Sequence, residues 1–281
     1  NLAGVLRDRG NYADAQAEYQ AILEIECRVL GTEHPHTLTT RHNLAGVLQD
    51  LGNHADAQTE YQAIIEIQRR VLGDEHPNTL TGRHSLAGTL QARGNHADAQ
   101  AEFEAVLEIE RRVLGDEHPS VLITRHNLAG ALRDRGNHAD AQAEYQAILK
   151  IQRQILGNEH PNTLTTRNSL AGTLQARGNH ADAQTEYQAI LKIQRQILGN
   201  EHPSTLATRH NLASSYLMMG RRRAAEVELK AVLASQEKAF GASHPNTRTT
   251  RDYLKKIKNS QPNSGIPVLW HGPGKRKKKK K

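Results

Sequence analysis

Residues 44–80 read LAGVLQDLGNHADAQTEYQAIIEIQRRVLGDEHPNTL. Leu44, Ala45, Leu48 and Leu51 fall at offsets of 3, 4 and 7, which is one face of a helix. Gly52 ends that helix, and Asn53 stands where the next one needs an N-cap. Asp56 adds negative charge to the first turn, where the helix dipole favours it. Ala57, Tyr61, Ile64, Ile65 and Leu72 then repeat the same offsets, and Gly73 is placed as a left-handed cap. The loop Gly-Asp-Glu-His leads to Pro77, which suits a first helical position because its missing N–H has no intrahelical role there. The stretch therefore predicts two helices, neither of which can bury its apolar stripe alone.

The partner surface is supplied by repetition. Pro35, Pro77, Pro119, Pro161, Pro203 and Pro245 are spaced by 42 residues. So are Ala15, Ala57, Ala99, Ala141, Ala183 and Ala225, and so are Gly10, Gly52, Gly94, Gly136, Gly178 and Gly220. A fixed period with no insertion marks a stacked array whose units contact only their neighbours. We expect residues 1–258 to form one solenoid of six 42-residue units. The first lacks the start of its first helix, because the chain opens at Asn1 inside a repeat, and a longer parent protein is expected. The last is capped by a more polar final helix from Pro245, with Arg248 where earlier units carry Leu38, Leu80, Leu122, Leu164 and Leu206. Residues 259–281 depart from the repeat and are expected to be a disordered tail.

The charge belongs to that tail. The chain has 37 Lys or Arg and 30 Asp or Glu, and its last seven residues, Lys275 to Lys281, are all basic. Without them the repeats are neutral, so bulk charge gives no argument for a nucleic-acid-binding array. Nucleic acid or another polyanion would be held only through Lys275 to Lys281; a solvated tail or a solubility tag are the other readings. The short apolar cluster from Ile266 to Trp270 is a candidate docking motif. One cysteine, Cys27, fits a reducing compartment, and a cytoplasmic location is expected. No apolar run is long enough for a membrane span. A body rich in Ala, Arg, Gly and His suits a bacterial source.

The pattern Leu44-Ala45, Gly52, Ala57 and Tyr61 resembles the tetratricopeptide repeat. The 42-residue form, opening Asn-Leu-Ala and closing Leu-Gly-x-x-His-Pro, is similar to the kinesin light chain type. The resemblance implies an all-α fold: a right-handed α-solenoid of stacked antiparallel helix pairs. The sequence departs from the pattern in carrying Arg41, Arg83, Arg125, Arg167 and Arg209 where a large aromatic is usual, and Leu229 in the place of Tyr61.

The resemblance also implies that the first helix of each unit lines a concave groove that holds a protein or an extended peptide. Mapped onto this chain, the groove presents His42, Asn43 and Gln49, then His84, Ser85 and Gln91. His126, Asn127 and Arg133 follow, then Asn168, Ser169 and Gln175, and finally His210 and Asn211. In the kinesin light chain type, asparagines at the place of Asn43 hydrogen-bond a peptide backbone, and an amide side chain carries both the donor and the acceptor for it. Mid-helix Gly46, Gly88, Gly130 and Gly172 each sacrifice about 1 kcal/mol of helix propensity, which points to close backbone approach or to tight helix packing. The expected function is a protein-interaction scaffold; the alternatives are polyanion binding through the tail and a self-associating structural array.

Sixteen histidines invite a metal reading, but ten of them recur once per unit, in the series of His34 and His54. Copies a repeat apart cannot converge on one ion. Catalytic groups would be a unique constellation, whereas here the Asp, Glu and His candidates appear in several copies. No metal, no cofactor and no enzymatic activity are expected. The second helices carry Glu24, Glu66 and Glu108 early and Lys150 and Lys192 later, a trend that fits a solvated face, an oriented partner or head-to-tail self-association.

Overall fold

A computed structural model describes residues 2–242 and 244–259. The chain divides into two compact units that meet at Arg135 and Gly136. The first contains α1 (Leu2–Asp8), α2 (Tyr12–Val29), α3 (Pro35–Asp50), α4 (His54–Leu72), α5 (Pro77–Arg93), α6 (His96–Leu114) and α7 (Pro119–Asp134). The second contains α8 (His138–Ile155), α9 (Pro161–Ala176), α10 (His180–Ile197), α11 (Pro203–Met218), α12 (Arg222–Phe240) and α13 (Pro245–Asn259). Among the described residues there is no strand, and within each unit every helix packs on the next in sequence. This is the expected α-solenoid of stacked helix pairs. The tail, with Ile266 to Trp270 and Lys275 to Lys281, lies outside the described residues. Among the described residues no helix is long and apolar enough to cross a membrane.

Each contact between helices is built from the repeat. Ala15, Ala57, Ala99, Ala141, Ala183 and Ala225 are fully buried, where a larger side chain would force neighbouring helices apart. Tyr61 packs with Ala45, Ala57 and Ile64, and Phe103 with Ala87, Leu107 and Leu128. In the second unit Tyr187 packs with Ala171, Leu191 and Leu212, while Leu229 takes the aromatic place beside Ala213, Tyr253 and Ile257.

The two kinds of helix start differently, which corrects the N-cap expected at Asn53. Asn11, Asn53, Asn95, Asn137 and Asn179 precede the second helices without any side-chain cap bond. The backbone explains it. Asn53 N–H closes the preceding helix on Leu48 O at 2.8 Å, with Gly52 at φ +85°. That 6→1 bond fixes Asn53 at ψ 56°, away from the extended conformation a capping side chain uses. The first helices are capped by histidine instead. His34, His76, His118, His160 and His202 are extended, and each Nδ1 accepts the amide N–H two residues on at 3.1–3.2 Å. The recurrent loop histidines are therefore N-caps. Gly73 has positive φ as expected, but its ψ of 165° is extended and not helical.

The arginines in the usual aromatic place clamp helix pairs. Arg41 Nε donates to Glu60 at 2.5 Å and Arg83 to Glu102 at 2.6 Å; Arg167 to Glu186 and Arg209 to Glu228 follow at 2.5 Å. Each joins a first helix to the second helix that follows it. The arginine side chains are 8–16% exposed, so these pairs are largely desolvated.

Candidate functional site

Within each unit, hydrogen bonds join several of the residues expected to line the groove into rails that run from one first helix to the next. In the first unit the Ser85 hydroxyl of α5 lies 3.4 Å from His42 Nε2 of α3. Asn127 of α7 reaches His84 Nε2 of α5 in the same way. A second rail runs beside it. Arg7 donates to Asp50 at 2.6 Å and Gln91 donates to Asp134 at 2.8 Å, with Arg133 also against Asp134 at 3.4 Å. Gly46 lies under the first of these, since a Cβ there would meet the Arg7 guanidinium at 2.9 Å. At Gly88 a Cβ would meet nothing within 4 Å, so its helical cost serves no packing contact.

In the second unit Asn211 of α11 donates to Asn168 of α9 at 2.9 Å, and Asn168 donates to Thr208 at 2.6 Å. Gln175 donates to Ser214 at 3.1 Å. His42, Asn43, Gln49, His84, Ser85, Gln91, His126, Asn127, Arg133, Asn168, Ser169 and Asn211 are half-buried. Gln175 and His210 are buried at 4% and 2% exposure, so they support the face and offer little surface to a ligand.

The histidines tie the rails to the second helices. His42 stands edge-on to Tyr61 at 5.1 Å, and His84 edge-on to Phe103 at 5.2 Å. His210 lies against Tyr253 at 5.2 Å. Burial lowers the pKa of His42 and His84, with the Arg7 charge adding to the effect at His42. It pushes His210 down to about 4, and His126 to about 4 with help from Arg133. These rings are neutral near pH 7; His42 and His84 take part in the rails through Nε2, and His210 packs its ring on Tyr253.

The chemistry available on this face is exchange of hydrogen bonds. Amides, hydroxyls and neutral imidazoles now satisfy one another across the helices, and each can turn to a backbone N–H or C=O laid along it. Among the described residues no three His, Cys, Asp or Glu side chains converge as a ligand set. On α4 to α6 a separate open cleft of about 660 Å³ is lined by residues including Ile65, Glu66, Arg69 and Leu86.

Sequence reasoning missed the rail partners, the Arg–Glu clamps and the histidine caps. The clamps and the caps had a signal, since both members of each pair recur at a fixed separation, and so did the rail pairs that lie 43 residues apart.

The tetratricopeptide repeat family model matches residues 1–58, 38–109, 82–146, 120–185 and 163–238. No curated protein matches the chain. Among solved structures, one of Podosopora anserina kinesin light chain nearly identical TPR-like repeats is 35% identical, with a TM-score of 0.57. That match covers 73% of this chain and 97% of the other. BtubC (BKLC) from P. vanneervenii is 16% identical over 95% of this chain and 98% of its own, with a TM-score of 0.54. A Rap protein complexed with competence and sporulation factor is 14% identical, with a TM-score of 0.59 over 91% of this chain and 72% of its own.

Proposed function

Because the chain belongs to the tetratricopeptide repeat family, we propose that it is a scaffold that holds an extended segment of a partner protein on the face of its first helices. The observation that carries this is the rail of half-exposed amides and hydroxyls. Asn127 and Asn211 stand one per helix, and the Nδ2 of each now meets another side chain, His84 Nε2 and Asn168 Oδ1, and not the backbone. A peptide strand can supply a backbone carbonyl to those amides in place of the present side-chain partners. Asn43 and Ser85 stand at the same place on α3 and α5.

The test is selection of peptides from a random library by the full chain, repeated with Asn43→Ala, Asn127→Ala and Asn211→Ala combined. Three lost hydrogen bonds at about 1 kcal/mol each predict a drop in affinity of roughly a hundredfold. Selected peptides that bind the triple variant as tightly as the original chain would refute the reading, as would a screen with no selected peptide.

A further inference from the structure

The second helices present a different surface, and its charge changes sign along the chain. Residues 1–135 hold 13 Lys or Arg against 20 Asp or Glu, a net −7, while residues 136–259 hold 17 against 10, a net +7. The neutral repeats are thus an acidic unit followed by a basic one.

Most of the positive excess lies in residues 201–259, with 11 Lys or Arg against 5 Asp or Glu, but a local reversal also occurs at matched repeat positions of the second helices. Glu24, Glu66 and Glu108 are exposed on α2, α4 and α6, and among the described residues none of them forms an ion pair. The arginines beside them are already neutralised. Arg69 pairs with Asp74 and Arg111 with Asp116 at 2.8 Å, and Arg112 with Glu75 at 2.6 Å. On α8 and α10 the glutamates become Lys150 and Lys192, both exposed. The neutralising aspartates become Asn158 and Asn200, so Arg153 and Arg195, also exposed, keep their charge without an ion-pair partner among the described residues. Two substitutions per repeat act in the same direction, one reversing a charge and one unmasking another, while Gln154 and Gln196 in the places of Arg70 and Arg112 each remove one positive charge.

The two ladders also match in spacing. Both ride on consecutive second helices of one 42-residue repeat, so the step from Glu24 to Glu66 to Glu108 is the step from Lys150 to Lys192. A nucleic-acid backbone has a spacing of its own and no reason to share this one. A second copy of this chain shares it by construction. Apolar residues further along the same helices accompany both ladders: Val71 and Val113 are 56% and 52% exposed, and Ile155 and Ile197 are 52% and 45% exposed. They supply area to bury beside the charges.

We propose that the chain associates with a second copy of itself, the Glu24, Glu66 and Glu108 face of one molecule meeting the Lys150, Arg153, Lys192 and Arg195 face of the other. The contact uses second helices only and leaves the first-helix face open. It therefore stands or fails independently of the proposed peptide site.

The test is the mass of the full chain in sedimentation at low and high salt. Exposed charges are screened within about 3 Å at 1 M salt but reach about 30 Å at 0.01 M. At low salt the mass should rise to at least twice the 31.2 kDa of one chain, and at high salt it should return to one chain. Glu24→Lys, Glu66→Lys and Glu108→Lys together should weaken association at least tenfold, and so should Lys150→Glu with Lys192→Glu. All five reversals in one chain should restore it, which a folding defect would not do. A wild-type chain that stays monomeric at low salt overturns the proposal, and so does failure of the five-fold variant to reassociate. If the glutamate reversals act and the lysine reversals do not, the occupant is the Lys275 to Lys281 tail, and the pairing proposed here is wrong.

Discussion

Changing Gly82 to Thr offers a test of how closely one helix pair is fitted, because two departures from the repeat meet there. Five of the six copies have Thr at this place: Thr40, Thr124, Thr166, Thr208 and Thr250. Five have Leu at the place of Ile65: Leu23, Leu107, Leu149, Leu191 and Leu233. The two exceptions face each other. A Cβ added at Gly82 in α5 would lie 3.0 Å from Ile65 Cγ1 and 3.0 Å from Gln68 Oε1, both on α4. The Cγ1–Cδ1 arm of Ile65 thus crowds the place where a side chain at Gly82 would begin. Gly82→Thr alone gains a few tenths of a kcal/mol of helix propensity, against an overpacking cost of about 1–3 kcal/mol. The net expectation is a loss of about 1–2 kcal/mol. Ile65→Leu alone moves the branch away and costs up to about 1.5 kcal/mol. Together they restore the arrangement of the other repeats, in which the Thr166 and Thr208 hydroxyls donate to Asn162 O and Ser204 O of their own helices. The double variant should match or slightly exceed wild type, a coupling of about 2 kcal/mol. Urea midpoints by circular dichroism measure it, with amide exchange on α4 and α5 as a local readout, since an array need not unfold as one unit. Additivity of the two changes within about 0.5 kcal/mol would refute the reasoning.

Other consequences are simpler to state. His210 is buried with its pKa lowered to about 4 by that burial, so as pH falls the unfolded chain takes up the proton first. Stability is complete above about pH 6.5 and is lost progressively toward pH 4, by up to about 3 kcal/mol; urea midpoints at pH 7 and pH 5 should differ less in His210→Gln than in wild type. Glu102→Leu strands the buried Arg83 guanidinium and should cost about 2–4 kcal/mol, most of it recovered when Arg83→Met is added, as thermal unfolding will show. His76→Ala removes a cap whose Nδ1 accepts the Asn78 amide at 3.1 Å; it should cost about 1 kcal/mol, with His76→Asn restoring most of it.

The fold was legible because its causes are local and repeated. Helix faces follow from offsets of 3, 4 and 7, and helix ends from Gly and Pro, so the span of α4 could be read from Gly52 to Gly73 with an error of about one residue. Legibility failed where one residue serves two purposes. Asn53 looks like a cap from its type alone, but its N–H is already closing the previous helix. His34 looks like a loop residue because histidine ranks low as a cap, yet its ring nitrogen reaches the amide that an Asp or Ser would reach.

The candidate face was half legible for a different reason. The resemblance to the kinesin light chain type put Asn127 and Asn211 on that face, and the 42-residue period carries the position from unit to unit. Neither shows what they touch, because their partners sit on another first helix, 43 residues away and not 42. That extra residue follows from helix geometry. A side chain leans toward the N-terminus of its own helix, so the atom it meets on a neighbour belongs to a residue displaced by about one position. Ser85 meets His42 and Arg7 meets Asp50 at the same separation. These four contacts are hidden when the repeat is read at its own period and revealed one residue out of step, whereas Gln175 with Ser214 and Asn168 with Thr208 lie 39 and 40 residues apart. Where the repeat is broken, as at Ile65 with Gly82 or at Lys150 with Asn158, two changes fall on residues joined in space or in charge. Such paired exceptions mark where one copy of the repeat has come to differ from the others in what it holds.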